Sequence, residues 1–368
     1  MELTPALECW LRLSRAPGIG SRTLITLLES FDSPENIVGA SHAQLSKVLG
    51  SNEAVLCAIT DAVDAERLAL DTEWLAEEGS HLLVITDDDY PALLREIPDP
   101  PALLYIRGDP AVLSLPQLAM VGSRNPTPGG MDNARAFASA LAPTGLLVTS
   151  GMALGIDTAA HTGALEGGGS TVAVAGTGVD RIYPARNHAL AHRIVEQGAL
   201  VSEFPLATPP LRENFPQRNR IIAGLSLGTI VIEAALRSGS LITARLASEQ
   251  GREVFAIPGS IHSPQAKGCH QLIRQGAKLV ETATDIMEEL GPLVATLRQL
   301  SDKPAAGRHD NTADFELLEY LGFDPIDVNT LVERSGLTAE AISSMLLEME
   351  LAGHIQVCAG GKVQRINT

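Results

Sequence analysis

This sequence of 368 residues has no pair of neighbouring cysteines. Its four cysteines, Cys9, Cys57, Cys269 and Cys358, stand far apart along the chain. Zinc ribbons and disulfide frameworks need paired or closely spaced cysteines, so neither is expected here. Isolated cysteines are typical of a reducing compartment, and the sequence predicts a cytoplasmic protein.

Long apolar runs are also missing. No stretch reaches the roughly 18 consecutive apolar residues of a membrane-spanning helix. The first residues, MELTPALECWLRL, lack the basic start and the apolar run of a signal peptide. We therefore expect no membrane partner. The 45% apolar content is enough for a substantial core, and the length predicts two or three domains.

Basic residues are few, and lysine is missing from the middle of the chain. The net charge is −17, but it is unevenly distributed. Residues 1–117 hold 7 basic and 19 acidic side chains, whereas residues 118–262 hold 11 basic and 10 acidic ones, and all eleven are arginines. Because arginine binds phosphate in a planar, bidentate manner, the central segment is suited to a polyanion, unlike its acidic flanks.

Several enzyme motifs are absent or misplaced. There is no Walker A sequence, and the one Gly-Lys pair is Gly361-Lys362 near the end of the chain. Residues 224–228 spell Gly-x-Ser-x-Gly, but a helix is predicted before them and a strand after them, the reverse of a nucleophile elbow. His188 and His192 have metal-ligand spacing without a third ligand nearby. No cofactor or metal is therefore expected.

The chain divides into four predicted segments. Residues 1–78 read as short helices, residues 79–290 alternate apolar runs with helical stretches, and residues 291–313 have the polar, proline- and glycine-containing composition of a linker. Residues 314–368 show three helices and a hairpin around Gly360-Gly361, which indicates a winged helix. Its predicted recognition helix, residues 338–351, has three glutamates and no basic residue, so we expect protein contact or a structural role there.

The predicted core is a parallel sheet. Apolar and β-branched runs separated by helices indicate strands buried on both faces, and right-handed crossovers then give an α/β fold of the extended Rossmann-like, doubly wound type. The predicted strands are 81–86, 102–107, 118–122, 146–150, 171–176, 200–203, 229–233 and 253–258. The predicted helices of the core are 129–142, 154–166, 187–197, 214–224, 240–250 and 268–276.

Small residues gather where these strands end. Gly122, Ser123 and Arg124 follow one strand, and Ser150 and Gly151 follow the next. Residues 176–178, 258–260 and 237–240, the last ending at Ser240, lie at the same level. In an open parallel sheet, ligands bind outside the carboxyl ends of the strands, where glycine permits close approach of the backbone and helix starts bind anions. The sequence therefore predicts an anion site at this edge.

The densest basic segment spans residues 212–220. It places Arg212, Phe215, Arg218, Asn219 and Arg220 just before or within a predicted helix. A single-stranded nucleic-acid site combines arginines that contact the phosphates of the nucleic-acid backbone with an aromatic ring that stacks on a base. A solvated, charged helix start is the other interpretation, and the segment alone does not decide between them.

A weaker signal lies near the N-terminus. Residues 17–20, Pro-Gly-Ile-Gly, separate two predicted helices and resemble the turn of helix-hairpin-helix DNA-binding modules, with Arg15 and Arg22 on either side. The surrounding segment is strongly acidic, so a structural or protein-contacting role is an equal alternative.

Three long motifs between about residues 118 and 290 resemble one protein family. They are VGSRNPTPGG, SGMALGIDTAAHTGALEGGGSTVAVAGTGVDRIYP and ENFPQRNRIIAGLSLGTIVIEAALRSGSLITARLASEQGREVFAIPGS. They are similar to the bacterial DNA-processing protein A family (DprA, also called Smf). The flanking helical segment, which is SAM- or helix-hairpin-helix-like, and the winged helix look like that family's other domains. Leu154 and Gly130 depart from the pattern, since the family often has an arginine and an aromatic residue there.

The resemblance implies a core that binds single-stranded DNA without catalysis. It also implies that the protein is a homodimer and loads the recombinase RecA onto the strand in natural transformation and homologous recombination. Ser123 and Arg124 would hold a phosphate, Arg212 would contact DNA and Phe215 would face a base, with Arg218, Asn219 and Arg220 lining the same pocket. Leu272, Ile273 and Leu279 are the expected dimer edge.

An enzyme is the alternative prediction. Residues 224–233 partly resemble the GGxGTxxE pattern of nucleoside-monophosphate phosphoribohydrolases, with Glu233 as the candidate carboxylate. The Pro-Gly-Gly opening of that pattern is missing. A buried acid paired with Arg220 or Arg245 is the structural interpretation of Glu233.

Overall fold

The computed structural model describes residues 3–50, 53–60, 65–302, 326–335, 342, 346, 355–358 and 362–365. Contacts between residues divide the chain into two compact units, Met1–Arg298 and Gln299–Thr368, and each is considered by itself. No helix in the described part of the chain is both long enough and apolar enough to cross a membrane.

The first unit begins with the predicted helices. Thr4 caps the first of them, and Ser41 and Gln44 form a capping box on the fourth, so local sequence sets where these helices begin. The helices are α1(Pro5–Arg15), α2(Ser21–Phe31), α3(Pro34–Gly39), α4(His42–Leu49), α5(Glu53–Thr60) and α6(Ala65–Ala76).

These helices share a hydrophobic cluster with one end of the sheet. Trp10, Leu11 and Leu75 are buried in the same cluster as Leu103 and Ala173. The predicted helical segment therefore does not stand apart in the structure, but lies against the core.

Nine strands of the described residues form one sheet, in the order β1-β2-β6-β5-β4-β3-β7-β8-β9. Pairing is parallel from β6 through to β9, whereas β1 and β2 pair antiparallel with each other and β2 pairs antiparallel with β6. The strands are β1(Ser80–Val84), β2(Leu103–Gly108), β3(Gln117–Val121), β4(Leu147–Ser150), β5(Thr171–Val174), β6(Ala199–Ser202), β7(Gly228–Val231), β8(Glu253–Ala256) and β9(Lys278–Leu279).

The chain reverses direction across the sheet between β3 and β7. From β3 the strands run through β4 and β5 to β6, and the chain then returns to the other side of β3 as β7. Such a reversal opens a crevice beyond the carboxyl ends of the two strands, which is where doubly wound folds bind their ligands.

Helices cover both faces of the sheet. Leu118 and Met120 of β3 belong to one hydrophobic cluster, and Ala119 and Val121 belong to another, because neighbouring side chains of a strand point to opposite faces. The helices are α7(Ala92–Arg95), α8(Pro128–Leu141), α9(Ile156–Glu166), α10(His188–Gln197), α11(Asn214–Gly224), α12(Ser240–Glu249), α13(Lys267–Arg274) and α14(Ala283–Asp302). The predicted Rossmann-like α/β fold is confirmed.

Three features differ from the prediction. The sheet is mixed, because β1 and β2 are antiparallel, and the two-residue strand β9 is too short to give a periodic signal. Residues 291–302, assigned to the linker, continue α14 as helix despite Pro292. Leu290 and Val294 are buried one helical turn apart, and this packing outweighs the polar composition of the segment.

The second unit has the predicted winged-helix pattern. Strand β10(Ile326–Asp327) pairs with β12(Lys362–Arg365), and β12 pairs antiparallel with β11(Ile355–Cys358), as the predicted hairpin requires of its two strands. Helix α15(Val328–Ser335) buries Leu331 with Ile355 and Val363. The first of the three helices predicted in this unit, residues 315–321, and most of the predicted recognition helix, residues 338–351, lie outside the described residues.

Candidate functional site

An open cleft of about 760 Å3 lies at the crevice between β3 and β7. Its walls come from the loops after β3, β5, β6 and β7 and from the starts of α9, α11 and α12. The lining includes Gly122, Ser123, Arg124, Asp157, Tyr183, Arg212, Phe215, Arg218, Asn219, Arg237, Ser238 and Ser240. The structure thus brings most of the predicted site residues together.

The loop after β3 is held closely against the start of α9. A Cβ atom on Gly122 would lie 2.6 Å from the side chain of Ile156, and Ser123 accepts a hydrogen bond at its carbonyl from the amide of Ile156, at 3.1 Å. The Ser123 hydroxyl accepts another from the Asn125 amide, at 3.1 Å. Glycine is needed here for close packing, and the packing leaves Arg124 exposed in the cleft.

Arg124 and Phe215 meet across the cleft. The guanidinium carbon of Arg124 lies 5.6 Å from the centre of the Phe215 ring, within the range of a cation–π contact. The edge of the ring fills the space above Gly176, where a Cβ atom would come within 2.8 Å of it. Asn214 fixes the start of α11 by donating from Nδ2 to the Gly176 carbonyl, at 3.1 Å. A charge and a ring are therefore held side by side.

Three exposed arginines line the cleft without a carboxylate partner among the described residues. They are Arg124, Arg212 and Arg237. Like charges gathered in one crevice repel each other, and a bound anion relieves that repulsion. The predicted site includes neither Arg237 nor Ser238, although residues 237–240 are predicted to lie at this edge. The motif Arg-Ser-Gly-Ser before a helix was the available signal.

Arg218 lies at the bottom of the cleft, and its side chain is used mostly inside the protein. Its Nη1 donates to the carbonyl of Gly151, at 2.7 Å, and to that of Val174, and so ties together the ends of β4 and β5. Burial, together with the nearby charge of Arg124, lowers the pKa of Arg218 to about 10, while Asp157 opposes that shift. The guanidinium stays charged at neutral pH beneath the exposed arginines.

Ser150, the last residue of β4, and Gly151, which follows it, belong to the predicted site but do not line the cleft. Ser150 is buried and donates from its hydroxyl to the Met120 carbonyl, at 2.6 Å. A Cβ atom on Gly151 would lie 2.6 Å from the guanidinium carbon of Arg218. Gly151 is therefore required by the arginine beneath it, whatever ligand lies above.

The structure does not bring Arg220 to the cleft. It lies on another face of α11, where its two Nη atoms bind both carboxylate oxygens of Glu203, at 2.9 and 2.6 Å, and its Nε binds Asp99, at 3.1 Å. Burial raises the pKa of the Glu203 carboxyl, and Arg220 opposes that shift. Because Arg220 is buried, is neutralised by two carboxylates and is absent from the lining of the cleft, it is not placed to hold a phosphate there.

Glu233, the candidate catalytic carboxylate, is engaged at the start of α8. Its two oxygens accept from the amide and the hydroxyl of Thr127, at 2.9 and 2.6 Å. A Cβ atom on Gly130 would lie 2.7 Å from Oε2 of Glu233, so the glycine at this position gives the carboxylate its space. Glu233 is absent from the lining of the cleft and pairs with neither Arg220 nor Arg245.

The expected dimer edge lies near a second cavity. This cavity of about 740 Å3 is lined by residues of α12, β8 and α13, including Leu272. Leu272 and Ile273 are partly buried against the core, whereas Leu279 is 44% exposed.

A doubly wound α/β domain with an arginine-lined cleft at its reversal point is the architecture of Rossmann-like proteins, a class that binds its ligands outside the carboxyl ends of the strands. The chain belongs to the DNA recombination-mediator protein A family, whose model matches residues 81–291, and a DprA winged helix domain matches residues 301–361. The predicted family is therefore confirmed.

Curated relatives and solved structures agree with this assignment. The chain is 45% identical to Protein Smf of Escherichia coli K12 over 298 residues, which is 79% of each protein. It is 44% identical over 266 residues to the DNA processing protein DprA of Streptococcus pneumoniae R6, covering 68% of this chain and 94% of that one.

Two solved structures share the fold and much of the sequence. The X-ray structure of DprA from Streptococcus pneumoniae matches with a TM-score of 0.69 and 38% identity, over 78% of this chain and 99% of that one. DNA processing protein A from Helicobacter pylori, described for its single-stranded DNA binding mode, matches with a TM-score of 0.53 and 30% identity, over 57% and 95%.

Proposed function

We propose that this protein binds single-stranded DNA in the cleft, without a chemical step, and loads RecA onto the bound strand. The observation that carries the proposal is the set of exposed arginines, unpaired among the described residues, around the ring of Phe215. Arginine holds phosphates, and an aromatic ring stacks on any base, so this set suits a strand read through its backbone. The single-stranded DNA binding of the relative from Helicobacter pylori supports the proposal.

The proposed site has two layers. The first contacts DNA through Ser123, Arg124, Arg212 and Phe215, with Gly122, Asn219 and Ser240 completing the surface. The second positions the first, and it consists of Arg218, Gly151 and Ser150. Arg220 stands outside both layers, because its guanidinium joins Glu203 and Asp99.

Binding is tested by fluorescence anisotropy with a labelled oligo-dT of about 40 nucleotides and the matching duplex, at several salt concentrations. We expect tight binding that prefers the single strand and weakens with salt, with a slope of about −0.7 for each phosphate neutralised. Absence of binding to either DNA would contradict the proposal. Release of free base from nucleoside monophosphates, lost in Glu233→Gln, would instead favour the phosphoribohydrolase alternative.

Loading of RecA is a separate part of the proposal. In an assay where single-strand-binding protein covers the DNA, this protein should increase the rate of RecA filament formation, and Arg124→Ala should remove most of that increase. If the protein binds DNA tightly but does not change the rate of RecA filament formation, the binding proposal stands and the loading proposal is wrong.

We also propose a homodimer through the edge that contains Leu272, Ile273 and Leu279. A dimer places two clefts on one strand and raises avidity without new contacts. Sedimentation should give a dimer for the wild type and a monomer for Leu279→Arg, since a charge cannot be buried there unpaired. Leu115→Arg is the control, because Leu115 is 40% exposed and lies outside the proposed edge.

A further inference from the structure

Tyr183 is the one exposed aromatic residue in the part of the chain that the structure describes. Tyr183 is 50% exposed, whereas the other described aromatic residues are buried or partly buried. Burial of an aromatic ring is favourable, and a ring that stays exposed to water forgoes that stabilisation. Its exposure at the mouth of the cleft therefore calls for an explanation.

The loop that carries Tyr183 is held in place by hydrogen bonds on both sides. Within the loop, the Thr177 hydroxyl donates to the Arg181 carbonyl, at 2.8 Å. Asp180 accepts from the Ala207 amide, at 3.0 Å, and Asn187 donates to the Met152 carbonyl, at 2.8 Å. A ring on such a loop is already ordered before a ligand arrives, so binding to it has a smaller entropy cost.

Tyr183 extends the surface formed by Arg124 and Phe215. The centres of the Tyr183 and Phe215 rings are 5.7 Å apart and the rings are tilted by 43°. Gly176, Tyr183 and Arg124 lie against Phe215, and only part of its ring is open to a base. The more accessible stacking surface is therefore Tyr183.

We propose that Tyr183 forms a second nucleotide subsite, on which a base stacks next to the base at Phe215. The inference rests on the proposed binding of single-stranded DNA. Arg186, exposed on the same loop and without a carboxylate partner among the described residues, supplies positive charge for a phosphate that flanks this base. Arg181, also exposed on this loop, pairs with Asp180 at 3.9 Å. Stacking of this kind is tolerant of sequence, because every base has a π-face.

The test compares Tyr183→Ala, Tyr183→Phe and Arg124→Ala with the wild type, on oligo-dT and on an oligomer of equal length with abasic sites. Loss of one stacked base corresponds to an affinity loss of about 5- to 150-fold. We expect that loss for Tyr183→Ala on oligo-dT, with the salt slope unchanged, and no loss on the abasic strand. Tyr183→Phe should retain wild-type affinity. Leu70→Ala, at 48% exposure in α6, is the matched control.

The outcomes separate the subsite from the proposed function. If Arg124→Ala weakens binding while Tyr183→Ala does not, the cleft binds DNA and the subsite is disproved. If Tyr183→Ala weakens binding to both oligomers equally, Tyr183 supports the fold or a phosphate, and base stacking is again disproved. If neither variant changes affinity, the proposed site itself is wrong.

A spectroscopic readout gives the same decision without relying on affinity. In Tyr183→Trp, the new indole should be quenched when oligo-dT binds and stay unquenched with the abasic strand. The native Trp10 and Trp74 are both buried among the N-terminal helices and provide the constant background. Equal quenching by the two strands would overturn the stacking assignment.

Discussion

Arg124 and Phe215 form one unit, with the guanidinium carbon 5.6 Å from the centre of the ring. They come from the loop after β3 and the start of α11, about ninety residues apart in the sequence. A phosphate at Arg124 would place its nucleoside beside the ring. This relationship makes the two residues a candidate for holding one nucleotide.

The charge of Arg124 should be visible in the salt dependence of binding. Replacing it by alanine should weaken binding to oligo-dT by about tenfold or more and reduce the magnitude of the salt slope by about 0.7, because one phosphate contact is lost. Arg135→Ala is the control, since Arg135 is an exposed arginine already paired with Glu166. An unchanged affinity and slope in Arg124→Ala would remove Arg124 from the site.

Gly151 should be important for the fold. Its replacement by alanine forces a methyl group against the guanidinium of Arg218, and we expect a loss of about 1–3 kcal/mol in the free energy of unfolding, measured in urea. Gly129→Ala, in the first turn of α8, is the control, because its Cβ atom meets nothing closer than 3.9 Å. Equal stability of the two variants would show that Arg218 moves aside freely.

Arg220 should affect stability without contributing to the salt slope. Its removal leaves Glu203 buried and unpaired, which costs about 3–5 kcal/mol in the free energy of unfolding. Arg220→Ala should therefore lower the melting temperature, while the folded fraction binds DNA with the wild-type salt slope. A reduced slope in fully folded protein would return Arg220 to the DNA site.

His161 should make the fold sensitive to acid. Burial, assisted by Arg218, lowers its pKa to about 3 from an ordinary value of 6.5. Between those pH values the unfolded chain binds the proton and the folded chain does not. The contribution of His161 to the free energy of unfolding is therefore complete above pH 6.5 and is lost as pH falls. Between these pH values, the free energy of unfolding falls by about 1.4 kcal/mol for each pH unit because of this one group.

The contribution of His161 is isolated by comparison with His161→Gln. The buried carboxyls of Asp157 and Glu203 have raised pKa values, and their contributions run in the opposite direction, but they are common to both proteins. The stability of His161→Gln should fall less steeply between pH 6.5 and 4.5. His192→Gln, on the exposed side of α10, is the control. Parallel curves for all three proteins would contradict the assignment.

The sequence by itself determined the elements and the edge where the site lies. All eight predicted strands of the core and its six predicted helices are present, because apolar periodicity and helix caps act locally. The placement of residues 122–124 at a strand end followed from the same pattern. The density of arginine in residues 212–220 indicated the segment that begins α11, and the family motifs assigned roles to its residues.

Only the tertiary structure decided which arginines of that segment face the cleft. Arg218 and Arg220 are two residues apart, yet one lies beneath the cleft and the other joins Glu203 and Asp99. Helical spacing separates their faces, but the partners come from distant strands and loops, and no local rule names them. For the same reason the sequence did not predict Tyr183 as a site residue. Its contact with Phe215 exists only because the loop after β5 and the start of α11 lie together.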